Sequence, residues 1–383
     1  MTRGPAGDQV VGRRTGITRR GPSWRLGWLL PAAVALLAGL DAGLLLLGLP
    51  APIDAARLPQ VHGMLLALGF VGTLISLERA TALGHWVGFA APALLGLGGI
   101  LLVVTPVPLI VGKSLLVAGA AALALVYVPL WRRQYDATQL TQLLGAALAA
   151  GAAIIWLGQE SMQRVIPWLI GFLVLTIAAE RVELARITMG PRAGTLLLAH
   201  AWALSGALLV GLVLPNAGAI LLGLVLLTLT GWLVTHDVAR HTIKAGGVSR
   251  YMAACILAGY LWLAVAGVAL LFGEPTTRGT YDAVIHAVFL GYTFSMIMAH
   301  ASTILPAVLR IELPYRPAFW APISVLQLAL VVRLWLGDSL GLSWAWQLGG
   351  LLGVVALLLF AATALTSALL GPVRAAQPAG EMT

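Results

Sequence analysis

The sequence predicts an all-α, polytopic membrane protein built of twelve transmembrane helices, and three observations carry that prediction. Its 383 residues are 60% hydrophobic and only 10% charged, with a mean hydropathy of +0.95; no soluble core of this length needs so much apolar surface. The apolar residues fall into runs close to the ~20 residues that span a bilayer. The few charges gather in short connections between those runs.

Residues 1–25 are polar and basic, with Arg3, Arg13, Arg14, Arg19, Arg20 and Arg25, and are expected to form a disordered cytoplasmic arm. The next run is as long as a spanning helix, which favours an uncleaved first helix over a targeting signal. The spans expected in order are 26–49, 61–83, 86–104, 107–131, 139–158, 163–186, 195–214, 216–240, 250–273, 281–308, 318–337 and 343–370. They make one transmembrane domain, 26–370, followed by a cytoplasmic tail, 371–383. Pro or Gly punctuates many connections. The Ala, Leu and Gly of the fifth, seventh and twelfth runs suit small-residue helix packing. No extramembrane domain is expected.

The net charge of +9 would suit nucleic acid, but its distribution argues for topology instead. With the amino terminus inside, Arg79, Arg132, Arg133, Arg181, Arg186, Arg192, Arg240, Lys244, Arg250, Arg310, Arg316 and Arg374 fall at cytoplasmic ends. The outer side collects only Arg57, Lys113, Arg164, Arg278 and Arg333. That asymmetry obeys the positive-inside rule and puts both termini in the cytoplasm, as in a bacterial-type inner membrane. The single cysteine, Cys255, excludes an intrachain disulfide, a four-cysteine metal site and covalent haem attachment through Cys-x-x-Cys-His. It reads as packing.

A four-helix period runs through the chain. Helix 2 carries Gly69-Phe70-x4-Ile75-x2-Glu78-Arg79 and helix 6 carries Gly171-Phe172-x4-Ile177-x2-Glu180-Arg181, at identical spacing. Helix 10 follows more loosely with Gly291, Tyr292, Ile297 and His300. Three units of four would relate helices 2, 6 and 10 by a pseudo-threefold axis, with Glu78, Glu180 and His300 at one depth. Two carboxylates and an imidazole there suit a metal ion or a proton relay. The plainer explanation is that inner helix ends attract arginine, and arginine attracts a carboxylate.

Helix 10 also carries His286. On a regular helix its ring and that of His300, fourteen residues on, are separated by roughly 21 Å of rise and about 40° of rotation, so both leave the same side. Ionisable groups inside a membrane are expensive and are usually functional. His62 opens helix 2 at the depth of His286, and His200 on helix 7 lies in the inner half with His300. The four histidines thus form an outer and an inner pair. Non-covalent, b-type-like haem needs two neutral imidazoles on facing helices with apolar walls, and Gly63 beside His62 would let a flat ring approach. Met64, Met296 and Met298 are candidate soft ligands for copper, although methionine more often fills gaps. Asp41 and Glu183 are candidates for a proton path. His85, His236 and His241 border cytoplasmic loops and read as surface residues.

The twelve helices and the histidines on helices 2 and 10 resemble the subunit I architecture of haem–copper oxidases, in which those helices hold the low-spin haem. The resemblance assigns that role to His62 and His286. The run His62-Gly63-Met64-Leu65-x3-Gly69-Phe70 is similar to that of the NnrS family, twelve-helix haem and copper membrane proteins of nitric oxide metabolism. Helix 6 has no histidine, helix 7 has no His-His pair, and helix 10 has no second histidine beside His286. Those departures exclude an oxygen-reducing binuclear centre of the oxidase type. The NnrS opening motif of two histidines flanking an alanine is reduced to His62.

The expectation is therefore a membrane haem protein, with copper as a second candidate, that binds, senses or transforms a small gas such as nitric oxide, or handles electrons. Its partners would be the lipid bilayer and a gas or redox partner, with no nucleic acid. Two other classes stand beside it. A proton-coupled secondary transporter would use Asp41, Glu78, Glu180 and the histidines, and would favour a six-plus-six plan with broken helices. A scaffold without cofactor would use none of them.

Overall fold

Apolar runs of this length leave the backbone one way to satisfy its hydrogen bonds in lipid, and the chain takes it. The computed structural model describes residues 24–158 and 161–372. Nearly all of the expected arm, 1–25, and tail, 371–383, lies outside the described residues. Twelve helices are long and apolar enough to cross a membrane: α1 (Arg25–Leu46), α2 (Leu58–Leu83), α3 (Trp86–Val103), α4 (Leu109–Gln134), α5 (Ala137–Gly158), α6 (Met162–Leu184), α7 (Ala193–Val213), α8 (Pro215–His236), α9 (Gly247–Leu270), α10 (Arg278–Leu309), α11 (Pro317–Ser339) and α12 (Ser343–Leu370). Every expected span is present, with ends shifted by a few residues. No strand occurs among the described residues.

The three helices singled out by the sequence period are the most enclosed. Within their most apolar stretches 72% of residues are buried in α2, 83% in α6 and 67% in α10, against 56% in α9, the next of the twelve. The four-helix spacing thus marks the centre of the bundle, and the other spans surround it. Phe70 of α2 and Phe294 of α10 stack with ring centroids 5.9 Å apart. Cys255 is buried and free, as its apolar setting implied.

Regular α-helix is interrupted in two of the three central spans. Wider π-helical turns occupy Leu65–Gly72 in α2 and His286–Tyr292 in α10, and a third set occupies Val331–Ser339 in α11. Such turns are rare and frequently lie at functional sites. They also correct one expectation: the 40° counted between His286 and His300 assumes 3.6 residues per turn, and the chain between them does not keep that pitch. Pro306 lies inside α10, which runs on to Leu309.

Close helix contacts rest on glycine, as small-residue packing requires. A Cβ on Gly223 of α8 would stand 2.7 Å from the Gly267 carbonyl oxygen of α9 and 3.0 Å from Leu270 Cβ. Gly223→Ala is therefore expected to lower stability by about 1–3 kcal/mol, the usual cost of overpacking. Gly206→Ala in α7, where nothing lies within 4 Å, should leave the thermal unfolding midpoint in detergent unchanged or slightly raised.

Candidate functional site

Helices α1, α2, α6, α10 and α12 enclose a cavity of about 770 Å³, within the range of ligand and cofactor sites. His62 and His286, the expected outer pair, both line it. Leu66, Ile166, Leu169, Phe289 and Leu357 are among its apolar walls. Two glycines let its lining side chains pack close: a Cβ on Gly43 would lie 3.3 Å from His62 Cε1, and one on Gly63 would lie 2.9 Å from Met162 Cε.

The geometry of each ring fixes its tautomer. His62 Nδ1 lies 2.8 Å from the Gly39 carbonyl oxygen of α1. A carbonyl only accepts, so Nδ1–H donates and Nε2 keeps the lone pair. His286 Nδ1 lies 3.1 Å from the Asp282 carbonyl oxygen and 3.1 Å from Asp282 Oδ1. Both are acceptors, so Nδ1–H donates here too. An imidazole with Nδ1–H held by a carbonyl or carboxylate is the arrangement that orients a metal-binding histidine.

Asp282, one turn before His286, is itself held. Arg333 of α11 donates to it twice, Nε to Oδ2 at 2.7 Å and Nη2 to Oδ1 at 2.8 Å. The Arg333 guanidinium lies 4.9 Å from the centre of the Trp346 ring, and that of Arg278 lies 3.9 Å from it. One rim of the cavity therefore presents two cations over one indole, near the His286 support. Sequence reading missed this rim. Arg278 and Arg333 entered only as outer charges and Trp346 not at all, yet Asp282 four residues before His286 was a readable signal.

The inner set is arranged differently from expectation. His300 Nδ1–H donates to the Met296 carbonyl at 2.8 Å, and its Nε2 accepts from Arg181 Nη1 at 2.8 Å. Both ring nitrogens are used within the protein, which leaves none for haem or metal. Arg181 also donates Nε to Asp237 Oδ2 at 2.9 Å and Nη2 to Oδ1 at 2.7 Å, while the Tyr260 hydroxyl donates to Oδ2 at 2.6 Å. Glu78 is paired with its neighbour Arg79. Among the described residues no group of three His, Cys, Asp or Glu side chains is spaced to hold a metal ion, and the structure does not bring His300, Glu78 and Glu180 together as one. His200 does not join His300 either. Its Nδ1–H donates to Leu196 O, and its ring stacks on Trp232 of α8.

The remaining candidates separate cleanly. Asp41 is buried, accepts from the Ile53 N–H at 3.2 Å, and leaves Oδ2 without a partner among the described residues. Glu183 is exposed, as are His85, His236 and His241. Met64, Met296 and Met298 are core residues that do not line the cavity.

A family model described as a domain of unknown function (DUF8744) matches residues 25–369, the whole helical bundle. The sequence matches none of the curated proteins.

Asp237 follows α8, and its titration has a definite sign. Burial opposes its ionised form, but hydrogen bonds and charge from Arg181, with Tyr260 and the Ala239 N–H, hold the carboxyl below its ordinary 3.8. The stability this contributes is complete above that value and is lost as pH falls through the lower folded value. Asp237→Asn strands a buried guanidinium at a cost of about 3–5 kcal/mol at neutral pH. Thermal midpoints measured from neutral pH to below pH 3.8 should fall for the native chain, and the gap to the variant should narrow.

Proposed function

The chain belongs to the DUF8744 family, matched from residue 25 to 369, and we propose that it is an integral membrane haem protein in which His62 and His286 would hold the haem. The observation that carries this reading is that two imidazoles from facing central helices line one apolar cavity, each with Nδ1–H engaged and with no hydrogen-bond partner at Nε2 among the described residues. Gly43 makes room for the His62 ring itself, and Gly63 for the end of Met162. At the rim, Arg278 and Arg333 are placed to meet the carboxylate edge of a macrocycle, with Trp346 holding their planes.

A haem held there by both imidazoles would supply an iron suited to electron exchange, and would take a diatomic gas only where one imidazole gives up its place. The chain's own part is to orient two imidazoles, to exclude water with aliphatic walls and to anchor anionic groups at one end. Asp282 would strengthen His286 as a ligand through Nδ1–H, and Arg333 holds Asp282 in place with two hydrogen bonds. Nitric oxide is the gas we favour, on the similarity of the His62–Phe70 run to the NnrS family. The arginine distribution supports a bacterial-type inner membrane with both termini cytoplasmic. Copper has less support, since the inner residues are engaged with one another.

One observation favours a second reading. Non-α turns in α2 and α10 beside a central cavity also suit a proton-coupled transporter. Uptake into proteoliposomes that survives His286→Ala would favour transport.

Purified protein is expected to show b-type bands in a reduced-minus-oxidised spectrum. His62→Ala and His286→Ala should each abolish the native spectrum, and Asp282→Asn should weaken haem retention by about 10–100-fold. A native chain expressed with haem in supply and showing no haem bands would sink the reading.

A further inference from the structure

The half of the bundle away from the cavity holds more buried polar groups than it pairs. Arg79 binds Glu78 and donates Nη1 to Gln142 Oε1 of α5 at 3.3 Å. Arg181 is committed to Asp237 and His300. Both arginines of this layer are thus matched, by Glu78 and by Asp237, and Glu180 enters no ion pair among the described residues. Its Oε1 is buried without a hydrogen-bond partner there. The same holds for Tyr127 OH of α4, Gln139 Oε1 and Gln142 Nε2 of α5, and Thr176 Oγ1 of α6. Tyr127, Gln142 and Thr176 are completely buried.

These groups belong to one neighbourhood. The Arg79 guanidinium is near enough to act on both Tyr127 and Glu180, and a Cβ on Gly145 of α5 would stand 3.1 Å from Thr176 Oγ1. The charged and titratable groups that face Glu180 are Glu78 and Arg79 from α2, Tyr127 from α4, Arg181 and Glu183 from its own helix, and Tyr292 from α10. Two neighbouring carboxylates, Glu78 and Glu183, oppose a third negative charge. A buried carboxylate without a cation of its own takes a proton rather than remain ionised. Several unpaired donors and acceptors around one acid are what an internal water needs, two to four polar partners. Glu180 as a residue is only half-buried, and exposed Glu183 lies less than one turn further along α6 toward its end.

We propose that this layer is a hydrated proton-holding site, in which Glu180 is a neutral carboxylic acid whose proton exchanges with water held by Tyr127, Thr176 and Gln142. The step is an acid–base exchange. The Glu180 O–H bond breaks as the proton passes to a water, the carboxylate is left within reach of Arg79, and a proton from the aqueous phase at the Glu183 end restores the acid. No oxidant or reductant is involved. The site stands apart from the haem reading and does not depend on it.

Infrared spectroscopy of the full chain in lipid nanodiscs at neutral pH tests it. A neutral-carboxyl C=O band is expected that moves on labelling glutamate with 13C and shifts in D2O within minutes. Glu180→Gln should lose this band, and Glu180→Asp should move it while restoring an exchangeable acid. Tyr127→Phe should shift it without removing it. The labelling arm uses the native chain, so it reads out even if a variant fails to fold. Absence of any glutamate-derived band, its survival in Glu180→Gln, or a band that stays unshifted after hours in D2O would each overturn the proposal. Identical results with and without haem are expected, and failure to bind haem leaves this test unaffected.

Discussion

An ionised side chain within a bilayer has to be answered by the protein itself, and this constraint organises the bundle at both ends. Arg333 of α11 answers Asp282 of α10, and Arg181 of α6 answers Asp237 after α8. Pairs of this kind add little net stability over apolar packing, yet breaking one is costly. Their effect is to specify which helices are neighbours and in what rotation. Apolar packing alone would discriminate weakly, since lipid tails are as apolar as leucine. Trp262 of α9 extends the same logic without charge: its Nε1–H donates to Gln327 of α11, which donates in turn to Ser295 of α10.

The two arginine pairs do different work because their third partners differ. Asp282 reaches back to His286, which lines the cavity. Asp237 is closed by Tyr260 and by a backbone N–H, and Arg181 spends its remaining donor on His300. One network ends in an imidazole that lines the cavity and the other in an imidazole bonded at both nitrogens. The π-helical turns beginning at His286 mark the same contrast. They let one helix present His286 to the cavity and His300 to Arg181 within fourteen residues, at local expense of regular hydrogen bonding.

Most of this architecture could be read from the chain. Twelve runs of spanning length correspond to twelve helices, and the Gly-Phe and Glu-Arg repeat of α2 and α6, with its looser echo in α10, falls on the three most enclosed spans. His62 and His286 were paired by depth alone and do share a cavity. Pairing by depth failed for His200 and His300, because depth does not specify azimuth: His200 sits on a peripheral span and stacks on Trp232. The Arg181–Asp237 pair spans 56 residues, and Asp237 looked like an ordinary loop residue. Arg333, likewise, bonds a partner 51 residues away. No local periodicity encodes such contacts. The two glutamates share a motif but not a setting: Glu78 is paired with Arg79, whereas Arg181 is taken by Asp237 and leaves Glu180 without an ion pair among the described residues.

His62 owes its orientation to the main chain of α1, through the Gly39 carbonyl. No substitution at position 39 can delete that acceptor, because every amino acid supplies it. What could disturb it is a displacement of α1, whose approach here has Leu66 packed over Gly39. His286, by contrast, depends in part on a side chain that a single codon change would remove. The two rings thus differ in mutational fragility: one drifts only when a whole helix does, and the other is exposed to point mutation at its support.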